Sequence, residues 1–313
     1  MLGVLQGFAT IAAVVALGWA LAHFRFLDIG AQDFLSRLAF YVASPALLLV
    51  VMSRTPIGAI VSANLAASTA SVVVTAGAYI AISRLRWRLP LGETVVGSLC
   101  AAYVNAGNLG IPIALYVLGD ISLVAPTLLL QLLVLTPVAI ALLDSDARGE
   151  RPAMRASLRS VIRNPITMAA LVGVGISAVS THLPKSTVDA LMSPVAAVGD
   201  MAVPAMLIAF GISLRLGPKP GAGGSTSHVA TVVALKLVLQ PVVAVGFGYA
   251  GVGLRGHALF AAAVTAALPT AQNVFTYANT YRRGTYLARD AIFVSTFASV
   301  PVILLIALIF QGA

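Results

Sequence analysis

Asn105-Ala106-Gly107-Asn108-Leu109-Gly110-Ile111-Pro112 interrupts an uncharged apolar run from Thr94 to Leu118, and Pro269-Thr270-Ala271-Gln272-Asn273 interrupts a second run from Gly256 to Tyr281. Both clusters combine helix-breaking residues with side-chain amides. A helix in lipid can open its backbone hydrogen bonds only where protein or water receives them. One such break in each half of a chain therefore predicts a cavity at membrane depth, which is how many secondary transporters build a substrate site.

Composition supports that setting. Hydrophobic residues make up 59% of the chain and charged residues 9%, and the mean hydropathy is +0.99. Soluble domains carry roughly 25% charged residues, so the lipid bilayer is the expected environment. The net charge of +9 comes from basic residues dispersed among short loops. No basic face is formed, and nucleic acid is excluded as a partner. Cys100, the single cysteine, rules out an intrachain disulfide and reads as a small apolar filler.

A spanning helix needs about 20 apolar residues. Ten candidates fall near 3–24, 34–53, 57–82, 92–118, 121–143, 163–181, 193–214, 229–251, 256–281 and 289–310. The first has a cleavage-like Ala20-Leu21-Ala22, but no Lys or Arg precedes its apolar run, so it reads as a retained helix. With the N-terminus outside, the inner loops hold fifteen basic residues, from Arg25 and Arg37 through Arg148 to Arg163 and on to Arg289. The outer loops hold Arg54, Lys185 and Arg255. The positive-inside rule then places both termini outside and supports a count of ten.

Five spans per half would set two homologous halves in opposite orientations. Ser44-Pro45-Ala46 is echoed by Val203-Pro204-Ala205, and Asn108 by Asn273. The six-residue change in offset is absorbed by the Gly-Pro-rich loop that begins at Gly217. The expected organisation is a first five-helix repeat over 1–143, a cytoplasmic linker over 144–163 and an inverted repeat over 164–313. The fold class is an all-α membrane protein.

The N-x-G-N-x-G-x-P stretch at 105–112, the Pro-Ala spans 2 and 7, the P-T-A-x-N stretch at 269–273 and the 5+5 arrangement together resemble the auxin efflux carrier family. The resemblance covers essentially the whole chain. It implies the fold of bile acid sodium symporters and sodium/proton antiporters, with spans 4 and 9 unwound and crossing at the bilayer midplane. It also implies a transport domain moving against a scaffold of spans 1, 2, 6 and 7, and a homodimer formed through that scaffold. Members carry small organic anions such as auxin, malonate or malate, by alternating access across the cell membrane. A sodium-coupled bile-acid-like symporter, a channel or a non-transporting receptor would use the same broken helices.

The residues indicate why an anion fits. Each half-helix N-terminus carries roughly half a positive charge and free N–H groups. Asn105, Asn108, Gln272 and Asn273 add donors without placing a full charge in lipid. Gly107, Gly110, Pro112 and Pro269 open the backbone around them. Asn or Gln in a membrane helix also bonds neighbouring helices, worth about 0.6–2 kcal/mol, but two related clusters favour a substrate site. Lys236 is the one basic residue well inside a span. It is a candidate partner for a substrate carboxylate or a coupling proton, and its stem can also snorkel. For coupling, Glu93 at the inner mouth of span 4 and Asp200 near the outer start of span 7 are the candidates. Proton, sodium or no coupling stays open, and no cofactor is expected. Gln131 and Thr136 read as helix–helix contacts, and Tyr103 and Tyr277 as candidates for the pathway. No metal-ligand spacing or catalytic constellation is present, so an enzyme is not expected.

Overall fold

The computed structural model describes residues 2–55, 62–149, 165–180, 185–216 and 226–312. Among them the chain is helical throughout, apart from one isolated antiparallel bridge between Val104 and Thr270. Of the linker expected over 144–163, residues 150–163 lie outside the described residues, as does the loop over 217–225, while 144–148 continue a helix.

Helix α1 is Leu2–His23. Helices α2 (Ile29–Arg54), α3 (Ala63–Trp87) and α6 (Ile121–Arg148) each exceed the length of a bilayer crossing, as do α10 (Thr226–Gly251) and α13 (Thr285–Gly312). Helix α7 is Pro165–Ser180. Helices α8 (Lys185–Gly199) and α9 (Ala202–Leu216) are separated by a turn at Asp200 and Met201. They form one long apolar segment, Val188–Leu216. Among the described residues, six segments are thus long and apolar enough to span a membrane. The two interrupted runs each give a pair of short helices, α4 (Leu91–Ala102) with α5 (Ala106–Leu118), and α11 (Gly256–Ala266) with α12 (Gln272–Tyr281).

Helix ends follow local chemistry. The Asp28 carboxylate accepts the Ala31 N–H at 2.9 Å and starts α2, and the Asp120 carboxylate accepts the Ser122 N–H at 2.8 Å and starts α6. Gly119 adopts φ +75° just past α5, the left-handed geometry that closes a helix and suits glycine.

Prolines shape the long helices in a repeated way. A π-turn precedes the X-Pro pair at Pro45 (Ala39–Ala43), Pro112 (Ala106–Gly110), Pro137 (Gln131–Leu135) and Pro241 (Leu235–Leu239). The proline ring crowds the carbonyl one turn back and has no N–H for it. Widening that turn relieves the clash while the helix continues.

The helices pack as two groups. Helix α1 lies along α9, and α2 packs on α7, α8 and α9. The other group joins α3 to α4, α10 and α11, α4 to α6, and α13 to α10, α11 and α12. The two meet in a core containing Leu48 of α2, Ile111 of α5, Leu207 of α9 and Leu268 of the second break. Close approach of α1 and α9 depends on glycine: a Cβ on Gly211 would lie 2.8 Å from the Trp19 nitrogen. Outward, Leu17, Val73, Leu171, Val238 and Leu305 leave large apolar surfaces uncovered, as a lipid-facing surface requires.

The apolar segment expected over 193–214 begins earlier, at Val188, on a helix that starts at Lys185. Charge at Lys185 and Asp189 masks its start in the sequence. Asp200 stands in the turn between α8 and α9, two residues before α9 begins, and it is exposed.

Candidate functional site

The two breaks face each other. Helix α4 ends at Ala102, and Tyr103 to Asn105 run out of helical geometry; α11 ends at Ala266, and the chain re-enters a helix at Gln272. The Asn105 N–H donates to the Pro269 carbonyl at 2.8 Å, and the Ala271 N–H donates to the Tyr103 carbonyl at 3.1 Å. Each unwound segment thus satisfies part of the other's backbone.

Neighbouring helices receive the remaining groups. From α6, Gln131 Nε2 donates to the Val104 carbonyl at 2.9 Å. From α10, Gln240 Nε2 donates to the Ala102 carbonyl at 3.0 Å. The Thr270 hydroxyl donates to the Cys100 carbonyl at 2.6 Å, and Ser295 Oγ of α13 accepts the Thr270 N–H at 3.1 Å. Gln131, Gln240, Thr270 and Ser295 are all buried. An unpaired backbone group here would cost several kcal/mol, which is why polar residues occur on helices that otherwise need to be apolar.

The first turns of α5 and α12 remain available. Asn105 Oδ1 accepts the Asn108 N–H at 3.2 Å, and the Asn105 carbonyl accepts the Gly110 N–H at 2.8 Å. Among the described residues no backbone carbonyl takes the N–H of Gly107, Gln272 or Asn273. Asn108 Nδ2 lies 3.4 Å from Gln272 Oε1, linking the two turns side by side. They border a cavity of about 570 Å³ that contains Asn108, Gln272, Asn273, Thr276 and Tyr277 on one side. Gln32, Ser36, Arg37 and Phe40 of α2, with Met206 and Phe210 of α9, form the other side. A small recess of about 40 Å³ adjoins it, sharing Phe40, Asn108, Leu132 and Asn273 and reaching Ser44, Tyr103, Asn105, Gly107 and Gln131. Half-helix N-termini beside amide donors can hold an anion without a buried cation.

A profile of the family described as Membrane transport protein matches residues 4–307. The chain belongs to the auxin efflux carrier family. It is a membrane transporter and not an enzyme. This transporter is similar to a "Putative malonate transporter" of Rhizobium meliloti (strain 1021), with 27% identity over 295 residues that cover 90% of this chain and 88% of that protein.

In this transporter the residues singled out by sequence fall into three places. Asn105, Gly107, Asn108, Gln272 and Asn273 line the cavity or its recess. Gly110, Pro112 and Pro269 stand behind them: a Cβ on Gly110 would come within 2.9 Å of Leu268, Pro112 is buried in α5, and Pro269 supplies the carbonyl that Asn105 uses. Lys236, Glu93 and Asp200 lie elsewhere. Lys236 is fully buried but borders neither space, and its ammonium donates to Gln240 Oε1. Glu93 occupies the first turn of α4, next to Gly92, against which Asp146 and Arg283 pack. There Arg283 donates to Asp146 at 2.7 Å, a contact that raises the guanidinium pKa further, and the Tyr281 hydroxyl donates to Asp144 at 2.8 Å.

The α2 wall was missed. Gln32, Asp33, Ser36, Arg37 and Phe40 recur at helical spacing, so they form one stripe on α2. That amphipathic signal is present in the sequence but resembles an ordinary interfacial turn. Thr136 and Tyr277 join the same cavity, Thr136 through a 3.0 Å bond to the Tyr103 hydroxyl.

Proposed function

We infer that this chain is a secondary transporter of a small organic anion of the malonate type, working by alternating access. The observation that carries this reading is the single cavity bordered by the first turns of both interrupted runs, where free N–H groups and amides converge. The family and the malonate-transporter relative support the same reading.

Ten spans in two inverted five-helix repeats are the topology proposed. Symmetric details support it. The π-turn Ser83–Trp87 that ends α3 has a counterpart in Phe247–Gly251 at the end of α10. The π-turn of α2 at Ala39–Ala43 has a counterpart in the turn that separates α8 from α9. On this topology the antiparallel contact between the breaks is the midplane crossing. The cavity mouth at Asp33, Ser213 and Thr276 then faces the side of the basic loops, giving an inward-facing arrangement in the cell membrane. Movement of the α3–α6 and α10–α13 group against the α1, α2, α7–α9 group would carry the anion outward, since the cavity lies between them.

A thermal-shift screen of mono- and dicarboxylates, with and without sodium, tests the substrate class. A ligand of the folded state raises apparent stability, by an amount that grows with the logarithm of its concentration above Kd. Stabilisation by a short carboxylate supports the reading. No response to any carboxylate contradicts it.

A further inference from the structure

Of the residues lining the main cavity, Asp33 and Arg37 alone carry charge. Among the described residues the ion pairs are Arg54–Asp189, Arg283–Asp146 and Arg289–Asp290, so Arg37 is in none of them. Asp33 lies one helical turn before Arg37, nearer the start of α2. Arg37 is three residues before Phe40, which borders both the cavity and its recess. The facing wall offers uncharged donors from Asn108, Gln272 and Asn273, together with free N–H groups. One end of the cavity is thus fitted to a carboxylate held by amides, and the other holds a fork-shaped cation with no carboxylate partner.

We propose that Arg37 is the second anchor of a dicarboxylate: one carboxylate sits at the first turns of α5 and α12, and the other is taken by the Arg37 guanidinium across the cavity. This rests on the anion-transport reading and adds to it a reason for preferring two charges to one. A monocarboxylate of the same length would fill the amide end and leave Arg37 to water. Arg37 and the α12 amides belong to different helix groups, since α2 packs with α7–α9 while Gln272 and Asn273 ride on α12, which packs with α4, α6 and α13. Arg37 therefore serves only when the cavity has its present shape, and it contributes to binding from this side of the membrane.

The test compares wild type, Arg37→Gln and Arg37→Lys, purified in detergent, for binding of malonate and succinate against acetate and propionate. A hydrogen-bonded charged contact corresponds to about a ten- to hundredfold change in affinity. The expected result is a wild-type preference for dicarboxylates that Arg37→Gln abolishes, with monocarboxylate affinity held within about twofold. That unchanged monocarboxylate response also shows that the variant is folded. Arg37→Lys retains charge without the fork and falls between. Undiminished dicarboxylate preference in Arg37→Gln overturns the assignment of Arg37 alone. Wild type that binds mono- and dicarboxylates equally also overturns it. Wild type that binds neither overturns the anion-transport reading as well.

Discussion

Asn105 and Pro269 come from different interrupted runs, yet the Asn105 N–H donates to the Pro269 carbonyl at 2.8 Å. The bond explains how two breaks can persist at one depth: the groups that each helix releases are taken up by the other and by Gln131, Gln240 and Ser295. The site is therefore a property of the pair and not of either run.

Thr270→Val removes the donor to the Cys100 carbonyl while preserving side-chain shape. A buried acceptor left unpaired costs about 1–3 kcal/mol. The melting temperature in detergent should fall, and Thr270→Ser should recover most of the loss. Equal stability of the valine and serine variants would show that the hydroxyl does not hold the end of α4.

Asn108 and Gln272 touch at 3.4 Å in a half-exposed position, a contact too long to add much stability. Asn108→Ala and Gln272→Ala should each reduce anion affinity by about tenfold, the effect of a lost hydrogen bond to a charged group. Their melting temperatures should stay near wild type. A double-mutant cycle measured on unfolding should show coupling below about 0.5 kcal/mol.

Gly110→Ala would place a methyl group 2.9 Å from Leu268 Cδ1 and 3.3 Å from the Asn105 carbonyl. Overpacking of this kind costs about 1–3 kcal/mol. Because the nearer contact is the end of a flexible side chain, Gly110→Ala should cost less in a Leu268→Ala background than in wild type, a rescue read from the double-mutant cycle. Absence of any rescue would locate the strain at the Asn105 carbonyl instead.

Lys236 stands behind the paired breaks, bonded to the glutamine whose amide donates to the Ala102 carbonyl at the end of α4. Lys236→Met should leave carboxylate affinity within about twofold of wild type, since no hydrogen bond to the ligand is lost. A tenfold loss of affinity would put the ammonium in contact with substrate.

The sequence showed the breaks plainly, because Pro, Gly and amide clusters have few other uses in an uncharged apolar run. The four amides it singled out, Asn105, Asn108, Gln272 and Asn273, border the cavity or its recess. It could not say that Lys236 faces away from that space, because burial of a lysine is visible in sequence but its direction is not. Asp200 precedes the start of α9, as its spacing from Pro204 suggested, while the charges at Lys185 and Asp189 hide the earlier helix α8 that leads into it. Arg37 looked like one more basic loop residue. Only the packing of α2 against α9 makes it part of a cavity wall.

Exchange of labelled malonate by the purified protein in liposomes tests the central claim most directly. The account predicts saturable uptake that accelerates when unlabelled malonate is present on the opposite side, and that disappears when Asn108, Gln272 and Asn273 are all changed to Ala. Uptake that rises linearly with concentration, or that survives the triple substitution, would contradict it.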